Sequence, residues 1–148
     1  MQMGALVGGA SKKDAELLYQ FGEHLGIAFQ LQDDFLDTFG DAATFGKRIG
    51  GDIAENKKTI LVHLARQLGS APQIAALQDW FDKAPSDNTK KIAAVTQIFK
   101  DTTADTATLN KVQAFTQKAF EALDKVALSD EHKQRFYDFG RWLMERTH

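Results

Sequence analysis

From Lys12 to Phe39 the apolar residues of this chain recur at three- and four-residue intervals with no proline among them, a pattern that reads as one long helix. Only 2 prolines occur in the 148 residues, and nowhere do polar and apolar residues alternate for long enough to make a strand. The fold class expected is therefore all-α, a helical bundle over residues 1–148 that forms one domain or a large piece of one. Residues 1–10 are small and apolar and read as the end of a helix, and a glycine-containing loop is expected from Gly40 to Gly51. Asp52 followed by Glu55 has the form of a capping box, so the next helix is expected to start there and run to about Leu68. Four more helices follow, separated by SAP at 70–72, APSDN at 84–88, DTTADT at 101–106 and LSDEH at 128–132. Leu109, Val112, Ala119, Phe120, Leu123 and Val126 fall at core spacing, and Trp80 and Trp142 read as packing anchors.

Composition narrows the function classes. Lys and Arg number 18 against 20 Asp and Glu, so a net charge of -2 offers no global attraction to nucleic acid or to an anionic membrane. With 0 Cys the chain has no disulfide, thiolate zinc site or Cys nucleophile. No apolar run approaches the roughly 18 residues of a membrane span, and MQMGALVGGASKK lacks the features of a signal peptide, so a cytoplasmic protein is expected. His24, His63, His132 and His148 show no metalloprotease spacing, and there is no P-loop, G-x-G-x-x-G or nucleophile elbow.

The chemistry is concentrated in AFQLQDDFLDTFGD, residues 28–41, where Asp33, Asp34, Asp37 and Asp41 occur without a basic neighbour. At ~100° per residue, Asp33 lies at ~0°, Asp37 at ~40° and Asp34 at ~100°, with Gln30 at ~60°, so one polar face holds them. Asp33 and Asp37 are a like-charge i,i+4 pair near a helix C-terminus, where the macrodipole disfavours anions. No Lys or Arg stands three or four residues away to neutralise them. An external cation is implied, and hard oxygen donors without His or Cys suit Mg2+ or Mn2+ bridging to a phosphate. The plainer alternative is a solvated acidic face.

Basic residues follow at once in FGKRIGGDIAENKKT: Lys47 and Arg48 on the glycine-rich loop, Lys57 and Lys58 on the expected helix. An acidic cluster followed by a basic one suggests a metal and then a phosphate. On a continuous helix Lys57 falls at ~60° within the stripe of Ile53, Ile60, Leu61, Leu64 and Leu68, and Lys58 faces solvent. A lysine there needs an anionic partner, a bound anion or the acidic cluster, or else must snorkel. Asp52 has two readings, a helix cap and a hydrogen-bond acceptor from metal-bound water. Gly4 with Gly8, and Gly22 with Gly26, suit close helix packing or leave room for a bound chain.

Taken together, GALVGGAS at 4–11, FGEHLGIAFQLQDDFLDTFGD at 21–41 and FGKRIGGDIAENKKT at 45–59 resemble the second aspartate-rich region of the trans-type polyprenyl diphosphate synthases, such as farnesyl and geranylgeranyl diphosphate synthases. The resemblance joins an FQ pair, a DDxxD, a GK and a later D...NK, and covers about residues 4–61. It implies the C-terminal part of an isoprenoid synthase fold, in which two DDxxD motifs on facing helices hold Mg2+ ions. It implies ionisation of an allylic diphosphate and condensation with isopentenyl diphosphate to a linear isoprenoid diphosphate. Carried onto this chain, Asp33 is a direct metal ligand, and Asp34 and Asp37 act mainly through metal-bound water. Gln30 lies beside the reacting end of the substrate, Lys47 and Lys57 contact the allylic diphosphate, and Asp52 supports the metal's water shell. Lys47 and Gln30 are then the catalytic pair.

The chain departs from that family in holding a single DDxxD, without the first aspartate-rich motif or the basic residues that bind isopentenyl diphosphate. The spacer RIGG between Lys47 and Asp52 is also one residue longer than in some relatives. The expectation is the C-terminal half of a prenyltransferase that is homodimeric at full length, this half being inactive alone. The alternative is a non-catalytic diphosphate-binding or regulatory subunit of a complete synthase. A terpene cyclase is disfavoured by the GK...GGD...NKK segment.

Overall fold

The computed structural model describes residues 1–41, 49–83, 85 and 87–145. Among these there are eight helices and no strand: α1 (Gln2–Val7), α2 (Lys12–Phe39), α3 (Gly51–Ala54), α4 (Ile60–Leu68), α5 (Ala71–Asp82), α6 (Thr89–Asp101), α7 (Ala104–Asp124) and α8 (Asp130–Met144). The chain gathers into two compact units, one of Met1–Gln30 with Lys111–Arg146 and the other centred on Leu31–Asn110.

In the first unit Leu18, Phe21 and Leu25, at three- and four-residue spacing on α2, are buried with Ala119, Ala122, Leu123 and Val126. The Phe21 ring meets Phe136 edge-on at 5.8 Å. The start of α2 is fixed by side chains: the Asp14 amide donates to Ser11 Oγ at 3.1 Å, and the Ala127 amide donates to Asp14 Oδ1 at 2.9 Å. The Ala127 amide first, and second the Ser11 hydroxyl, which donates to Asp14 Oδ2 at 2.6 Å, hold the Asp14 carboxyl below the usual carboxylate range. Gly22 makes room for Met1, whose sulfur lies 3.1 Å from where a Cβ would stand, whereas a Cβ at Gly26 would meet open space. Trp142 does not anchor this core: it is 59% exposed, beside Phe139.

In the second unit Ile53, Leu61, Val62, Leu64, Ala65, Leu77, Val95, Phe99 and Ala104 form the core, and Trp80 packs against it as expected. Leu109, read as core from its spacing, is 46% exposed. The four helices expected after residue 70 all form. The single helix expected from Asp52 to Leu68 is instead broken into α3 and α4 by a turn. The cause is Asn56, which takes a left-handed φ of 58° while its amide reaches the Ile53 carbonyl and the Lys57 amide reaches the Asp52 carbonyl. Nor does Asp52 cap α3. Gly50, at a φ of 81°, occupies the N-cap position and Asp52 sits in the first turn.

Candidate functional site

The acidic end of α2 faces the α3–α4 segment through backbone amides. The Asp52 amide donates to Asp37 Oδ2 at 2.9 Å, and the Ile60 amide donates to Asp34 Oδ2 at 3.3 Å. Asp34 thereby serves the first amide of α4, for which Thr59 at the N-cap provides no side-chain bond. The Gly50 amide also reaches the Asp37 carbonyl at 2.6 Å. Asp34 and Asp37 are half-buried, whereas Asp33 is exposed.

The basic partner comes from the turn. Lys57 Nζ lies 2.7 Å from Asp52 Oδ1 and 3.1 Å from Glu55 Oε2, with its side chain 54% exposed. The apolar stripe in which Lys57 was expected does not exist, because the residue stands between two helices. Its ammonium is stabilised above the ordinary lysine range, first by the hydrogen bond to Asp52 and then by that to Glu55. The Asp37 carboxyl is also raised above its ordinary value, which for a carboxylate disfavours the charged form. Burial pushes its carboxyl up, the Asp52 amide pulls it down, the Asp52 and Asp33 charges push it up, and the Lys57 ammonium pulls it down.

The other expected residues are placed as follows. Gln30 is exposed on α2, three residues before Asp33, and Asp41 lies past the end of that helix. Lys47 lies outside the described residues. The donor chemistry of Asp33, Asp34 and Asp37 fits a hard divalent cation, since all are carboxylates with no competing His or Cys. As the side chains stand, no three His, Cys, Asp or Glu residues among those described converge closely enough to hold a metal ion.

Two residues with a bearing on the site were missed in the sequence. Lys91 on α6 is 1% exposed, and its ammonium donates to Asn56 Oδ1 at the centre of the turn. The signal was present: Lys91, Val95 and Phe99 share one face at intervals of four.

Residues 1–100 match the family model described as polyprenyl synthetase. This chain belongs to the polyprenyl synthetase family. It is 28% identical over 147 residues to the octaprenyl diphosphate synthase of Haemophilus influenzae, covering 99% of this chain and 44% of that one. A crystal structure of a geranylgeranyl pyrophosphate synthase superposes with a TM-score of 0.88 at 38% identity, over 98% of this chain and 45% of the other. A second, the geranylgeranyl pyrophosphate synthase of Corynebacterium glutamicum complexed with isoprenyl diphosphate and magnesium, superposes at 0.83 with 32% identity, over 97% and 40% of the two chains. The all-helical fold is thus that of polyprenyl synthetases, and the chain spans under half the length of these relatives. No helix among the described residues is long and apolar enough to cross a membrane.

Proposed function

We propose that this chain forms the allylic diphosphate-binding half of a prenyltransferase that makes a linear isoprenoid diphosphate. The observation that carries the reading is the run Asp37, Asp52 amide, Asp52 carboxylate, Lys57: half-buried carboxylates next to an exposed ammonium that an anion can reach. Asp33 would hold a divalent cation directly, and Asp34 and Asp37, each oriented by a backbone amide, would support it through its waters. Magnesium or manganese bound there would offset the charge of the diphosphate as it leaves. Lys57 and Lys47 donate N–H groups to the same diphosphate, Gln30 lies beside the carbon that it leaves, and Asp52, paired with the Lys57 ammonium, would support the water shell of the cation. The allylic C–O bond breaks with its electron pair going to the diphosphate. The isopentenyl double bond then forms the new C–C bond, and a proton leaves the adjacent carbon.

With a single DDxxD among its residues, the chain is expected to be inactive alone and to act as the C-terminal part of a cytoplasmic, homodimeric synthase. The test is incorporation of labelled isopentenyl diphosphate into farnesyl diphosphate by this chain mixed with the upstream half of a related synthase. Activity that is absent from either half, present in the mixture and abolished by Asp33→Asn supports the reading. Failure with every upstream half, together with tight Mg2+-dependent pyrophosphate binding, would point instead to a non-catalytic diphosphate-binding subunit.

A further inference from the structure

We propose that Lys91 is a positioning residue, whose ammonium holds Asn56 in the left-handed turn and so sets Lys57 against Asp52 and the Ile60 amide against Asp34 of α2. Lys91 is almost wholly buried, packed with its Nζ 5.5 Å from the centre of the Phe81 ring, and its hydrogen-bond acceptor is the neutral side-chain amide of an exposed residue. Burying an ammonium is costly unless its hydrogen bonds are made, so the bond to Asn56 ties this buried donor to the centre of the turn. Asn56 is the residue at which the chain turns left-handed, a conformation that Asn tolerates but does not prefer.

The turn is bracketed by the groups that matter to the site. Lys57 follows Asn56 and pairs with Asp52, four residues before the turn's centre, and four residues after it the Ile60 amide meets Asp34. The same helix supports the other end of the segment, because a Cβ at Gly50 would lie 2.6 Å from Ile92 Cγ2. Adjacent residues of α6, Lys91 and Ile92, therefore fix the two ends of the stretch that carries Asp52 and Lys57. The consequence for ligand binding rests on the reading of that stretch as a diphosphate site.

The test is backbone amide NMR of Lys91→Met, a substitution of similar length that cannot donate, paired with calorimetric titration of inorganic pyrophosphate in Mg2+. The amides of residues 55–60 should shift and broaden while those of residues 12–30 stay in place, and pyrophosphate affinity should fall about threefold to tenfold. Asn56→Gly takes a positive φ without a side-chain partner, so adding Lys91→Met to it should change affinity by no more than about twofold. Asn56→Ala, at an exposed position, probes the same bond should Lys91→Met fail to fold, and it should reproduce the amide shifts. Unmoved amides at 55–60, or an equal loss of affinity with and without Asn56→Gly, would overturn the proposal. If the unaltered chain does not bind pyrophosphate, the functional reading falls, and the amide shifts alone decide the role of Lys91.

Discussion

The Asp52 amide donates to the Asp37 carboxylate at 2.9 Å across fifteen residues of sequence, and the other Asp37 oxygen lies 3.3 Å from where a Cβ on Gly51 would stand. Gly51 is thus the close wall of the Asp37 carboxylate. Gly51→Ala should favour the α3 helix by about 0.5–1 kcal/mol while displacing that oxygen. Thermal denaturation should show no loss of stability, and calorimetry should show weaker Mg2+-dependent pyrophosphate binding. Unchanged affinity would mean that the Asp37 side chain can move without consequence.

Gly50 meets two constraints that Gly51 escapes. Its φ of 81° is unfavourable for any residue with a Cβ, and that Cβ would run into Ile92. Gly50→Ala is expected to cost about 2 kcal/mol or more, measured by urea unfolding followed by circular dichroism.

Asp34 has a structural duty as well as its proposed metal role. Asp34→Ala, which leaves the Ile60 amide without its acceptor, should cost about 1 kcal/mol. Asp34→Asn keeps an acceptor oxygen and should recover most of that stability, yet it should still weaken Mg2+ binding, because the amide carries no charge. A variant pair that behaves alike in both measurements would contradict the separation.

The Asp14 carboxyl supplies a pH signature remote from the acidic cluster. Its folded-state pKa lies below the model-peptide value of 3.8, so the charged form is favoured by folding. The stabilisation is present above the unfolded value and is lost as the pH falls through the lower folded value. The difference in melting temperature between the native chain and Asp14→Ala should be flat above about pH 5 and shrink steadily below it. A constant difference down to pH 2 would count against the assigned bonds.

Much of the architecture was written in local pattern. Helix α2 runs from Lys12 to Phe39 as its spacing predicts, because its apolar repeat is continuous and Ser11 terminates it within the sequence itself. The turn at 55–59 was not readable, since Asn56 is held left-handed by a lysine 35 residues away. That same gap explains the misplacement of Lys57. The buried lysine on an apolar helix face is Lys91, whose helix is continuous, and not Lys57, which lies in the turn between α3 and α4. The amide donors to Asp34 and Asp37 could not be read from the sequence of α2, because they come from residues 26 and 15 positions away, respectively.

The central claim is that this chain binds a diphosphate together with a divalent cation, and titration of inorganic pyrophosphate with and without Mg2+ tests it most directly. The account predicts binding that requires Mg2+, is weakened by Asp33→Asn, and is weakened by Lys57→Ala with little change in melting temperature, because that side chain is largely exposed. Binding that ignores Mg2+, or that survives both substitutions undiminished, would contradict it.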